Sequence, residues 1–120
     1  MIERRWKIGR YKLGIRAVDA FFRKGTGGEF DSAAESGMAE ILIGKDTAWC
    51  ETVEIILHEL TELVYSDMRL RWRPAPDYSG DNGSYWSMFQ HEQFAECTAR
   101  VGHCMARLLP DAAKLYKKLK

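Results

Sequence analysis

No apolar run in this chain approaches the roughly 20 residues a membrane-spanning helix needs, and the opening "MIERRWKIGR" has no hydrophobic signal core. A membrane protein is therefore not expected, and a cytoplasmic location is. Cysteine is scarce and odd in number. Cys50, Cys97 and Cys104 form no Cys-x-x-Cys pair, which argues against a disulfide framework or a thiolate zinc knuckle and for reduced, mostly buried thiols. Internal repeats and low-complexity tracts are also missing. With 120 residues, 46% of them hydrophobic, the chain has material for one core and not for two, so a single domain over 1–120 is expected.

Charge is present in balance but unevenly spread. Residues 1–24 carry eight Lys/Arg against Glu3 and Asp19, whereas residues 29–67 carry ten acids against Lys45. Such a split either marks a patch for a polyanion or is cancelled when a basic strand meets an acidic helix; the second is expected here. Trp6 and Tyr11 in the basic stretch would be the residues to stack on bases, yet no recognition helix or base-stacking motif is evident. Nucleic acid is accordingly not the expected partner.

The hydrophobic pattern predicts strands first and helices afterwards. "RWKIGRYKLGIRAV" alternates apolar and basic residues, as a strand or hairpin with one wet face would, and Gly9 and Gly14 mark bulges or a turn. "KGTGGEFDSAAESG" reads as a loop, and "AEILIG" as a short apolar strand. A helix over about 46–70 follows, capped by Asp46 or Thr47, with Val53, Ile56, Leu57, Leu60, Leu63 and Val64 as its inward stripe. "RWRPAPDYSGDNGSYW", residues 71–86, is a long connection with no regular element of its own. A second helix over about 87–109 turns Phe94, Cys97, Val101, Cys104, Met105 and Leu108 inward and stops at Pro110, after which "DAAKLYKKLK" forms a short C-terminal helix. The fold class is α+β: a small N-terminal sheet packed on two long helices.

Chemistry concentrates in "EIILHELTELVY", residues 54–65. His58 and Glu62 are four residues apart and so lie one above the other on a helix face. Zinc accepts imidazole nitrogen and carboxylate oxygen at similar distances, so His-x-x-x-Glu grips an ion as His-x-x-x-His does, and two histidines with one glutamate form a known catalytic ligand set. A further histidine is then needed. Taking Val101 as the centre of the second helix's apolar stripe, His91 falls about 80° off it and His103 about 160° away, near the solvent face. Helix phase selects His91, with Glu92 and Glu96 as alternatives. Glu59 is placed to act as the general base. The plain alternative is a surface helix on which His58 and Glu62 form a simple pair.

These two segments, "TVEIILHELTELVY" and "FQHEQFAECTARVGHCMARLLP", resemble a group of small phage and prophage proteins with a minimal zincin-like fold. In that group a strand precedes a helix bearing His-Glu-x-x-His or His-Glu-x-x-Glu, and a second helix opens with a His-Glu or Glu-Glu pair. The resemblance covers about residues 38–110. It implies His58 and Glu62 as ligands, Glu59 as the catalytic carboxylate and His91 in the third-ligand place. Glu62 stands where histidine is commoner, and the 71–86 segment is longer than the usual turn.

The expectation is a phage-type, zinc-dependent metallohydrolase acting on a peptide or related amide bond. The substrate would pair along "AEILIG" as an edge strand, with Tyr85 or Trp86 lining the pocket. The rival is a non-catalytic module with a degenerate or structural metal site that binds a protein or nucleic-acid partner.

Overall fold

The computed structural model describes residues 4–12, 16–31, 37–68, 71–72, 85–86 and 91–120. Its elements run β1 (Arg5–Lys12), β2 (Ala17–Arg23), β3 (Gly28–Asp31), β4 (Ala39–Gly44), α1 (Trp49–Asp67), β5 (Arg71–Trp72), β6 (Tyr85–Trp86) and α2 (His91–Leu119). This is an α+β architecture, with a four-stranded sheet in the order β1-β2-β4-β3 and a separate β5-β6 pair.

β1 and β2 form the expected hairpin, with a bulge between Lys7 and Gly9; Gly14 lies outside the described residues. Two expectations for the next segment fail together. The Gly/Ser-rich stretch is not all loop, because β3 lies within it, and "AEILIG" is an interior strand, parallel to β2 and antiparallel to β3. The reason lies in β4 itself. Ala39, Ile41, Leu42, Ile43 and Gly44 are all buried, and a strand covered on both sides reads as a continuous apolar run. The β2–β3 connection leaves a gap one strand wide for it, using the positive φ of Gly25 and Gly27.

Val18, Ala20 and Phe22 of β2 and Ala39, Ile41 and Ile43 of β4 point to one face, where they meet both helices. α1 packs over β3 and β4, and α2 over β1. α1 is shorter than expected at both ends. Ala48 is its N-cap, with no side-chain capping bond, since Asp46 instead accepts the Gly25 N–H at 2.8 Å and Thr47 meets Thr52 at 2.7 Å.

Pro110 does not end the second helix, so there is no separate C-terminal helix. The missing N–H would have bonded the carbonyl of Ala106; both residues are exposed, so water can serve that carbonyl. Beyond the proline, Ala112 and Tyr116 continue the buried stripe of Cys97, Val101, Cys104 and Leu108. Tyr116 packs on Trp49 (5.1 Å) and Phe22 (6.2 Å), and its hydroxyl donates to the Thr47 carbonyl. Those anchors hold the last turns in line.

Among the described residues, the basic strands meet acids of the sheet as well as of α1. Arg10 and Lys7 meet Asp19 at 2.9 and 3.6 Å, Arg5 meets Glu40 at 3.4 Å, and Arg23 meets Glu29 at 3.2 Å. Arg16 reaches α1, at Asp67.

Candidate metal site on α1

Glu59 stands at the edge of the buried stripe of α1. At 100° per residue, Ile56 and Leu63 mark the centre of the buried stripe, Glu59 lies about 50° to one side of it, and Glu62 and His58 follow further round. Leu57, expected inside, lies about 110° to the other side and is exposed. The helix is thus rotated from the expected phase so that Glu59, 5% exposed, takes a place in the core's margin.

What makes room for that carboxylate is Gly28. A Cβ at position 28 would come within 2.7 Å of Ile55 Cγ2 and 3.1 Å of Glu59 Oε1, so β3 lies directly against this part of α1. The Glu59 side chain is roofed by a strand and floored by its own helix. Its Oε2 is buried and has no hydrogen-bond partner among the described residues. Burial pushes the Glu59 carboxyl above the usual range; Glu62 adds to the rise, and His58 opposes it.

His58 and Glu62 sit further out. His58 Nε2 is 3.4 Å from Glu62 Oε1, with the imidazole largely exposed and Glu62 partly covered. One ligand-type atom from each of His58, Glu59 and Glu62 lies within 4.8 Å of the other two. That donor set, an imidazole and two carboxylates, suits a divalent cation of the zinc class. An open cleft of about 340 Å³ adjoins it, lined by Glu54, Leu57, His58, Thr61 and Glu62.

His91 is the first residue of α2, and its side chain lies outside the described residues. The helices run antiparallel: Tyr65 meets Phe94 edge-on at 6.4 Å and approaches Thr98, while Trp49 meets Tyr116 at the other end. The start of α2 therefore lies by the end of α1, beyond Tyr65. Glu92 and Glu96 are exposed, and Glu96 pairs with Arg100 at 3.0 Å. His103 is exposed, as its phase predicts.

Tyr85 and Trp86 form β6 and pair with Trp72 and Arg71, so the ends of the 71–86 connection are regular where none was expected; their side chains, and residues 73–84, lie outside the described part. Tyr11 is buried and its hydroxyl donates to Asp111 at 2.7 Å, which removes it as a base-stacking surface. Cys97 and Cys104 are buried free thiols, and Cys50 is exposed. Among the described residues no helix is long and apolar enough to cross a membrane.

No protein-family model, curated protein or solved structure matches this chain.

Proposed function

We propose that the chain is a small zincin-like hydrolase of the phage type that acts on peptide or related amide bonds, with zinc held by His58 and Glu62 and with Glu59 beside them. The observation that carries this reading is Glu59: a carboxylate 5% exposed, one oxygen without a hydrogen-bond partner among the described residues, and a ligand-type atom within 4.8 Å of those of His58 and Glu62. A buried, unpaired carboxylate oxygen costs about 1–3 kcal/mol or more, and such groups are retained where a cation or a reacting proton satisfies them.

Zinc would supply a Lewis acid that polarises a carbonyl oxygen and brings the pKa of water down to about 7. The protein's own part is proton movement. Desolvation makes Glu59 a stronger base than a surface glutamate, so its carboxylate would take the proton of the attacking water and return it to the leaving amine. Glu62 Oε1 lies 3.4 Å from His58 Nε2, so the two would present their donor atoms to an ion from one face of α1. With β4 interior, β3 becomes the edge strand beside the site, and an extended peptide pairing with it would pass Glu59. Tyr85 and Trp86 remain the residues proposed to line the pocket. Metal content after purification without chelator, in the wild type and in Glu62→Ala, tests the reading.

The second reading is a non-catalytic interaction module with a structural cation. The antiparallel helix register favours it, because the start of α2 lies beyond Tyr65, which is about 10 Å along α1 from His58. Zinc binding without hydrolysis of any peptide substrate would select it.

A further inference from the structure

The uneven charge of the sequence survives folding as a two-sided molecule. In the strand order β1-β2-β4-β3, β1 and β3 are opposite edges of the sheet, with α2 packed over β1 and α1 over β3 and β4. β3 holds two acids and α1 five, without one Lys or Arg in either. β1 holds four cations, Arg5, Lys7, Arg10 and Lys12, all exposed, and no acid.

The Tyr11–Asp111 bond fixes which flank of α2 lies beside that basic edge. Tyr11 stands between Arg10 and Lys12, and its hydroxyl donates to Asp111 at 2.7 Å. Arg107, Lys114 and Lys118 are four residues before Asp111 and three and seven after it, which sets them about 20–60° from it around the helix, on the side turned away from the core stripe. Arg107 is near enough to act electrostatically on the Tyr11 hydroxyl. All three are exposed and, like Lys12, make no ion pair among the described residues. Asp111, the one acid of α2 beyond Arg107, already accepts the tyrosine hydroxyl, and Asp19 is shared between Lys7 and Arg10. A strand about 26 Å long and a helix row about 17 Å long thus bring two ranks of cations to one edge, while the acids collect at the other.

A surface of one sign selects a partner of the other. Single-stranded nucleic acid needs free aromatic rings on which to stack its bases. Tyr11 is buried, and Trp6 already carries Arg4 at 5.0 Å and Lys45 at 5.6 Å from its ring centre. A bilayer surface takes up apolar side chains, and the large exposed ones among the described residues, Leu57 and Phe94, lie on α1 and at the start of α2, away from this edge. A duplex requires neither, because its sequence-independent binding comes from phosphates alone.

We propose that the β1 edge and the flank of α2 that carries Arg107, Lys114 and Lys118 form a binding surface for the phosphate backbone of duplex nucleic acid, with the acidic β3–α1 side turned away. β1 alone carries no such expectation; the helix row beside it supplies the second rank of charge. The surface shares no residue with the metal site, so either can fail without the other.

Fluorescence anisotropy of a labelled duplex of about 20 base pairs with the full chain should show binding at about 50 mM salt that weakens on the order of a hundredfold by about 200 mM, as roughly four phosphate contacts imply. Lys114→Glu combined with Lys118→Glu should cut affinity at least about tenfold and flatten the salt slope by about two, whereas Lys114→Arg with Lys118→Arg should bind as the wild type does. Both positions are exposed, so the variants are expected to fold, and circular dichroism checks that they have. Binding indifferent to salt or to the glutamate pair would overturn the proposal. So would tighter binding to a single strand of the same length, or to vesicles with about 30% phosphatidylserine. Dimerisation at low salt that the glutamate pair abolishes, seen by light scattering without nucleic acid, would overturn it too, by assigning the edge to the acidic side of a second copy.

Discussion

Gly28 and Glu59 are in contact across the β3–α1 interface, and the contact exists because position 28 has no side chain. The missing Cβ lets the strand close over the carboxylate, which shields Glu59 from water on one side and leaves it facing His58 and Glu62 on the other. Gly28→Ala should therefore act on stability and site together. Overpacking of this kind costs about 1–3 kcal/mol, and Glu59 must shift to relieve it. Urea unfolding should show the loss, and titration calorimetry should show weaker zinc binding. A variant as stable as the wild type would mean that β3 does not sit on Glu59.

Glu59→Gln separates stability from chemistry. The folded-state pKa of Glu59 is raised, so its stabilising contribution is present at low pH, below the unfolded-state value, and is lost as pH rises through the folded value. At neutral pH the ionised carboxylate thus opposes folding. Removing its charge should stabilise the metal-free protein at pH 7 by on the order of 1 kcal/mol and abolish hydrolysis. Thermal unfolding against pH checks the first effect: the variant's advantage should shrink as the medium is acidified.

That Glu59 would be buried was readable from the sequence only in part. The spacing of His58 and Glu62 was enough to place both on one face, and helical arithmetic puts Glu59 nearer to Ile56 and Leu63 than Leu57 is. A stripe drawn through Val53, Leu57, Leu60 and Val64 hides this, because leucine is read as inward and glutamate as outward. The deciding fact is tertiary: Gly28 belongs to a strand concealed in a Gly/Ser-rich segment, and its approach sets which side of α1 is covered. β4 shows the same limit. Its apolar run predicts a strand, but its place between β2 and β3 follows from how the β2–β3 connection skips a position.

Pro110 supplies a third test. The proline breaks one backbone bond in a helix held on both sides of it by Leu108, Ala112 and Tyr116. Proline inside a helix costs about 3 kcal/mol relative to alanine. Pro110→Ala should raise stability by roughly 1–3 kcal/mol without altering zinc affinity, measured by urea unfolding and calorimetry on the same samples. A helix that ended at Leu109 would gain nothing.

The thiols should react in a fixed order. Burial pushes the Cys104 thiol up to about 11 and also raises Cys97, whereas Cys50 is exposed. Iodoacetamide at pH 8 should label Cys50 alone in the native protein, as read by peptide mass spectrometry. Because the folded-state value of Cys104 lies above its unfolded one, its contribution to stability is complete below about pH 8.5 and is lost as pH rises through about 11. Labelling of Cys104 should therefore begin only as the protein loosens at high pH.

The most direct measurement is zinc per chain, by elemental analysis of protein purified without chelator. About one equivalent is expected in the wild type, with near-complete loss in His58→Ala and in Glu62→Ala while both remain folded by circular dichroism. Less than about half an equivalent in the wild type, or zinc retained when both side chains are removed, would contradict a metal centre at His58 and Glu62.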